Sequence, residues 1–321
     1  MVVVHLPAFL EPFTPPSPLK LPSACRNASF VHSGDLGSSH ALWWSPRDEH
    51  RQPDTVLLFI PGNPGLVDFY IPFLSSVHEQ HVSSNLAIVA HSHLDHYAGI
   101  ENKPETRYSS DEFLSIQIQC SIEILDGIIR SYTKDTKIIL VGHSVGSWII
   151  LQVLKHRTDS IKAAFLLFPT VSNIANTPNG KLLSPIFMPW SRHILSSLSF
   201  LIGYFPRSCF ARMYPSWPEQ QLSVLHYFLS SKQSIFAALS MGAEEMRTIK
   251  RLEDHVLEEN IEKLFAYYAQ RDDWIGAESR AIFTLLNPDG QSSRLVQGPV
   301  DVPHAFCISE RSKSVSVGRY S

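Results

Sequence analysis

Short apolar runs alternate with longer stretches of helical spacing along most of this chain. TVLLFI (55–60) is continuously apolar and stops at PGNPG (61–65), which reads as a buried strand followed by a tight turn. VDFYIPFLSSVHEQ (67–80) has helical spacing, with Pro72 near its start. NLAIVA (85–90) reads as a second buried strand. DEFLSIQIQCSIEILDGIIRSY (111–132) reads as a long amphipathic helix, in which Ile116, Cys120, Ile124 and Ile128 recur at four-residue steps. KIILVG (137–142), a helix over SWIILQVLKHR (147–157) and KAAFLLFP (162–169) continue the alternation, and KLFAYYA (263–269) and SRLVQG (293–298) resume it. Apolar strands alternating with helices predict an α/β fold, with a mostly parallel sheet covered on both faces.

Two regions break the pattern. Residues 1–30 are Pro-rich and predict an extended or loosely ordered segment. Residues 171–260 interrupt the strand–helix alternation and contain LLSPIFMPWSRHILSSLSFLIGYFP (182–206), a very apolar stretch holding Trp190, Phe200, Tyr204 and Phe205. Pro185, Pro189, Arg192 and His193 argue against one spanning helix there, and further helix is expected over about 219–257. The expected organisation is therefore an N-terminal segment (1–30), an α/β core (31–170 and 261–310), an inserted apolar helical cap (171–260) and a polar tail (311–321).

Composition narrows the setting. The chain has 321 residues, 44% of them hydrophobic, enough for one large core with an insertion. A net charge of −3 without a dense Lys/Arg cluster gives no basis for a nucleic-acid partner. Cys25, Cys120, Cys209 and Cys307 lack paired spacing, which fits isolated thiols in a reducing compartment. The first residues lack a basic region, and Pro7, Pro12, Pro15 and Pro16 break their apolar run, so they make a poor signal peptide. An intracellular protein, soluble or peripheral to a membrane, is the expectation.

The chemistry centres on Gly142-His143-Ser144-Val145-Gly146, a G-x-S-x-G motif between a predicted strand and a predicted helix. In that context the serine sits on a sharp turn, and the glycines let the turn pass its neighbours without a Cβ clash. The following helix aims backbone N–H groups and a positive dipole end at the serine. A nucleophilic serine in this setting is followed along the chain by an acid and then by a histidine. His304, in DVPHAF after the last predicted strand, fits the base; Asp272 and Asp273, after KLFAYYA, are the candidates for the acid. The N–H of Val145 is one expected oxyanion donor, and that of Asn63 in PGNPG the other, with Gly62 allowing close approach. Two such donors are each worth roughly 3 kcal/mol of transition-state stabilisation. The expected fold is that of the α/β-hydrolases with an inserted cap, and the expected reaction, acyl transfer through Ser144, calls for no cofactor and no metal.

The sequence resembles the lipid droplet-associated hydrolases from about residue 55 to 306. The likeness is carried by IPGNPG (60–65), FYIPF (69–73), GHSVGS (142–147), FLLFPT (165–170), TPNG (177–180), YYAQRDDW (267–274) and PHAF (303–306). It implies a hydrolase of lipid esters, such as sterol esters or acylglycerols, at the cytosolic face of lipid droplets or the endoplasmic reticulum. It implies Ser144 as nucleophile, His304 as base and, of the two aspartates, Asp272 as the acid. It also implies that the apolar insertion helps the protein sit on a lipid surface. The chain departs from the family at the Pro-rich start and after the His304 loop, where SERSKSVSVGRYS has no apolar period in place of a further helix.

Two other readings compete. His91-Ser92-His93-Leu94-Asp95-His96 has the H-x-H-x-D-H spacing of metallo-β-lactamase-fold hydrolases, in which such a cluster holds zinc. It would leave the G-x-S-x-G turn, PGNPG and PHAF without a role. The other reading is a lipid-surface protein that keeps the fold without the reaction, for which segment 182–206 would serve as the interfacial element.

Overall fold

A nine-stranded sheet runs through the computed structural model, which describes residues 6–308 apart from 17–18, 101, 103–110, 277–278, 289, 291 and 300–301. The expected polar tail, 311–321, lies outside the described residues. The strands are β1 (Glu11–Pro12), β2 (Cys25–Val31), β3 (Ser38–Trp44), β4 (Thr55–Ile60), β5 (Leu86–His91), β6 (Lys137–His143), β7 (Ala163–Leu167), β8 (Leu264–Tyr268) and β9 (Leu295–Gln297). Their spatial order is β1-β2-β3-β5-β4-β6-β7-β8-β9. Every pair from β5 to β9 in that order is parallel, whereas β1, β2 and β3 join antiparallel.

Continuous apolar runs become strands here because both faces are covered. In β4, Val56, Leu58 and Ile60 enter one core, while Leu57 and Phe59 enter the other. The first core is closed by α2 (Phe113–Ser131) and α3 (Val145–Arg157) through Ile124, Leu125, Ile128, Ile150 and Leu151. The second is closed by α1 (Ile71–Gln80) through Ile71, Phe73 and Leu74. The expected α/β-hydrolase architecture, a mostly parallel sheet with helices on both faces, is what forms.

The structure adds detail to two expectations. The stretch 1–30 is not uniformly loose: Leu10, Cys25 and Ala28 are buried, and β2 begins at Cys25 inside it. Nor does the insertion stand wholly apart as a cap. Between β7 and β8 lie α4 (Pro178–Leu183), α5 (Pro189–Ile202), α6 (Arg207–Met213), α7 (Glu219–Leu229), α8 (Lys232–Thr248) and α9 (Asp254–Glu259). Of these, α7, α8 and α9 send Phe228, Met241 and Leu257 into the two main cores. The exposed large apolar side chains of the insertion are instead on and around α4, α5 and α6. One further helix, α10 (Ser279–Leu286), packs Ile282 and Leu286 into the first core. Among the described residues, no helix is long and apolar enough to cross a membrane.

Register places the functional loops side by side. Ile60 pairs with Gly142, Gly142 with Leu166, Leu167 with Tyr267, and Tyr268 with Gln297. The segments that leave the carboxyl ends of β4, β6, β8 and β9 therefore emerge on one edge, where open α/β sheets bind ligands.

Candidate active site

Ser144 joins β6 directly to α3, with φ 54° and ψ −122°. A non-glycine residue held at such a φ costs on the order of 1–3 kcal/mol and persists only when its surroundings fix it. Here its N–H donates to the Leu167 carbonyl at 2.9 Å, and its carbonyl accepts from Ser147 N–H at 3.0 Å. The flanking glycines are needed for space. A Cβ on Gly142 would lie 2.6 Å from the Gly146 carbonyl carbon, and one on Gly146 would run into the Ile60 and Pro61 carbonyl oxygens. A Cβ on Gly62 would lie 2.9 Å from that of Ser144, so the 61–65 turn can pass the serine only with glycine at this position.

His304, in the loop after β9, brings Nε2 to 2.9 Å from Ser144 Oγ. Its Nδ1–H donates to Asp272 Oδ2 at 2.6 Å, and the other Asp272 oxygen accepts from Trp274 N–H at 2.9 Å. That tautomer leaves a lone pair on Nε2 facing the serine hydroxyl. The Asp272 side chain is only 2% exposed, whereas the Asp273 side chain is half exposed and turns towards Arg271. Among the described residues, Asn63 and Val145 both have backbone N–H groups without a protein acceptor, one in the turn beside the serine and one next to it in the chain.

The middle residue of the motif also has bonding partners. His143 is buried, and burial together with the nearby His304 holds its imidazole neutral, well below the usual histidine range. Its Nε2–H donates to the His304 carbonyl at 2.9 Å, and its Nδ1 accepts from the Tyr70 hydroxyl at 2.7 Å. Tyr70 in turn accepts from Gly62 N–H at 3.2 Å. One buried chain of hydrogen bonds thus joins the 61–65 turn, the serine turn and the histidine loop. Tyr70 belongs to FYIPF, but nothing in its spacing gave it a role.

A cavity of about 540 Å³ opens over Ser144 and His304. Its walls are mostly apolar and come from both parts of the molecule: Leu66, Phe69 and Ile308 from the core side, Leu183, Phe187, Leu195 and Ile202 from the insertion. Glu245 of α8 is an acidic group in this lining. Burial pushes its carboxyl up to about 7, against the pull of a hydrogen bond from Asn63. Sequence gave no sign of this, since Glu244 next to it is of the same type and instead caps the Leu114 N–H of α2 at 2.5 Å.

The histidine cluster does not form a metal site. Among the described residues, no group of three or more His, Cys, Asp or Glu side chains is placed to hold a metal ion. His91 lies against Ser121 and the Ser92 carbonyl. His96 Nδ1–H donates to the Pro64 carbonyl at 2.8 Å, and His93 N–H donates to the Gly65 carbonyl at 2.8 Å. Burial holds all three imidazoles neutral, with His91 lowered to about 3 and His96 to about 4. The segment buttresses the 61–65 turn from behind.

The strand order, the turn at the end of β6 and the cavity at the carboxyl edge are those of an α/β-hydrolase. Solved structures agree at the level of fold. The Cif epoxide hydrolase from Acinetobacter nosocomialis matches with a TM-score of 0.62 at 13% identity, over 92% of this chain and 90% of that one. A thioesterase domain from the curacin biosynthetic pathway matches with a TM-score of 0.58 at 12% identity, over 92% of this chain and 98% of that one. Residues 53–307 match the Lipid-droplet associated hydrolase family, and the chain belongs to that family. Relatives named lipid droplet-associated hydrolase include those of Pongo abelii (29% identical, covering 80% of this chain and 81% of the relative) and Homo sapiens (28%, 80% and 81%). That of Drosophila melanogaster is 27% identical over 77% of this chain and 83% of its own.

Proposed function

We propose that this protein is a serine hydrolase of hydrophobic esters, sterol esters or acylglycerols, working at the surface of lipid droplets or the endoplasmic reticulum. The observation that carries the reading is the hydrogen-bonded line Ser144–His304–Asp272 at the floor of an apolar cavity. In the proposed reaction Ser144 Oγ attacks the ester carbonyl while His304 Nε2 takes its proton. Asp272 keeps the imidazole in the required tautomer and stabilises the imidazolium. The N–H groups of Asn63 and Val145 receive the charge that develops on the carbonyl oxygen. His304 then protonates the leaving alcohol, and water, activated by the same imidazole, releases the acid from Ser144. The apolar lining supports an acyl chain or sterol body as the bound group, and the family name supports the lipid-droplet setting.

The surface near the cavity supports a lipid partner. On α5, Trp190, Ile194, Leu198 and Leu201 follow one another at helical spacing and are 61%, 50%, 47% and 42% exposed. Tyr204 and Phe205, just after α5, and Met213 at the end of α6 are exposed as well. Contiguous exposed apolar surface of this kind marks an interaction site. Leu195 belongs both to the cavity lining and to the exposed residues of α5, so the cavity and the face share a wall.

The test is labelling with a fluorophosphonate probe, wild type beside Ser144→Ala, with and without a metal chelator. Labelling of wild type alone, unchanged by chelator, is the expected result. A folded wild type that does not label would overturn the enzymatic reading in favour of a lipid-surface protein that keeps the fold.

A further inference from the structure

The 61–65 turn, from which Asn63 is proposed to stabilise the oxyanion, is held from two sides. On the core side Gly65 N–H closes onto the Gly62 carbonyl at 2.7 Å, His93 N–H meets the Gly65 carbonyl, and His96 meets the Pro64 carbonyl. On the cavity side the contact is made by the Asn63 side chain. Its amide nitrogen has two hydrogens, and both are used: one goes to the Ala238 carbonyl and the other to Glu245 Oε1, each at 2.9 Å. Both acceptors belong to α8.

Glu245 is expensive where it stands. It is 7% exposed, and the side chains around it in the cavity lining include Phe187, Ala238 and Met246. A carboxyl taken out of water into apolar surroundings is costly unless a specific partner compensates it, and a leucine or methionine would fill the same space more cheaply. Its partner is the side chain of Asn63, the residue proposed above as an oxyanion donor.

We propose that Glu245 is a positioning residue: together with the Ala238 carbonyl it fixes the Asn63 side chain, and through it aims the Asn63 N–H at the oxyanion. The inference rests on the serine-hydrolase reading above. It also links the insertion to the chemistry, because α8 packs against α5, where the His193 ring lies 4.9 Å from that of Phe236. A donor displaced by a fraction of an ångström still lets substrate bind but no longer meets the charge of the transition state, so the defect belongs in kcat.

The experiment compares wild type, Glu245→Ala, Glu245→Gln, Asn63→Ala and the double variant Asn63→Ala/Glu245→Ala. Each is assayed on a short-chain p-nitrophenyl ester and for the rate of fluorophosphonate labelling, in which the phosphonyl oxygen takes the oxyanion position. Glu245→Ala should lower kcat and the labelling rate about 10- to 100-fold with KM within about threefold. Glu245→Gln, which keeps an acceptor in place, should recover most of that loss. The double variant should be no worse than Asn63→Ala, since both changes break one contact. An unchanged kcat in Glu245→Ala overturns the proposal. So does a Glu245→Gln as defective as Glu245→Ala, which would point to charge in the cavity, or losses that multiply in the double variant. If Glu245→Ala does not fold, Glu245→Asp carries the same test, because a carboxylate one methylene shorter falls short of Asn63. An unlabelled wild type, in contrast, removes the hydrolase reading itself and this proposal with it.

Discussion

At the scale of single residues, the site is a set of groups that each constrain the next. Tyr70 holds the middle of one such chain: its hydroxyl donates to His143 and accepts from Gly62, and all three groups are buried. Tyr70→Phe should leave a buried imidazole nitrogen and a buried N–H without partners, a loss of about 1–3 kcal/mol. Urea unfolding should register that loss, and ester turnover should fall with it, since the same chain reaches the His304 carbonyl. Equal midpoints for the two proteins would show the bonds to be dispensable. These residues differ in how visible they are along the chain. Ser144 and His304 can be picked from their order and from the strands before them, which leave Asp272 and Asp273 both open as the acid; the family resemblance points to Asp272, and the fold brings Ser144, His304 and Asp272 into one hydrogen-bonded line. Tyr70 and Glu245 cannot, because their roles depend on partners 73 and 182 residues away that no local pattern encodes. The His91–His96 spacing misled for the complementary reason. Spacing alone does not say whether imidazoles converge on one point: here His91 turns to the Ser92 carbonyl and Ser121, while the His93 and His96 rings pack edge to face and His96 bonds the Pro64 carbonyl of the 61–65 turn.

At the scale of elements, α5 is built inside out. Ser191, Ser196 and Ser199 face inward and are buried, while Trp190, Ile194 and Leu198 face outward. The serine hydroxyls are satisfied by carbonyls of their own segment, Pro185, His193 and Ser196. A helix with that polarity is stable where an apolar medium covers its outer face. Replacing Trp190, Ile194 and Leu198 together by serine should reduce partitioning to lipid droplets about 100-fold or more, since each buried apolar side chain contributes roughly 1.5–3 kcal/mol. Hydrolysis of a water-soluble ester should stay near wild type, as none of the three lines the cavity. Flotation with droplets measures the first effect, and undiminished flotation would end the docking role. The parallel strands β4 to β8 were legible because each is built on a continuous apolar run. The antiparallel pair β2 and β3 was not: polar Asn27, Ser29, Ser39 and His40 break the runs, although Gly34 and Gly37, both at positive φ, mark the turn between them.

At the scale of the whole molecule, buried titratable groups set the response to acid. Burial lowers the pKa of His32, His40, His78, His91, His93, His96 and His143, with His40 and His91 reaching about 3. Below pH 6.5 the unfolded chain takes up protons that the folded chain refuses, so stability present above 6.5 is lost as pH falls towards the folded values. Asp68 and Glu245, raised to about 7, and Glu244, also raised by burial, act oppositely: they stabilise the fold below their unfolded values and lose that contribution as pH rises through the folded ones. Seven histidines outweigh three carboxyls, and each net proton is worth about 1.4 kcal/mol per pH unit. Thermal melting should therefore drop steeply between pH 6.5 and 4.5; a flat melting temperature over that range would contradict the burial of the histidines. The wall shared by the cavity and the outer face of α5 has a different kind of consequence. Under the proposed reading, an ester reaches Ser144 sideways from the lipid layer without first dissolving in water. The reaction is then two-dimensional, and its rate follows the fraction of ester in the surface rather than the amount of ester in the tube.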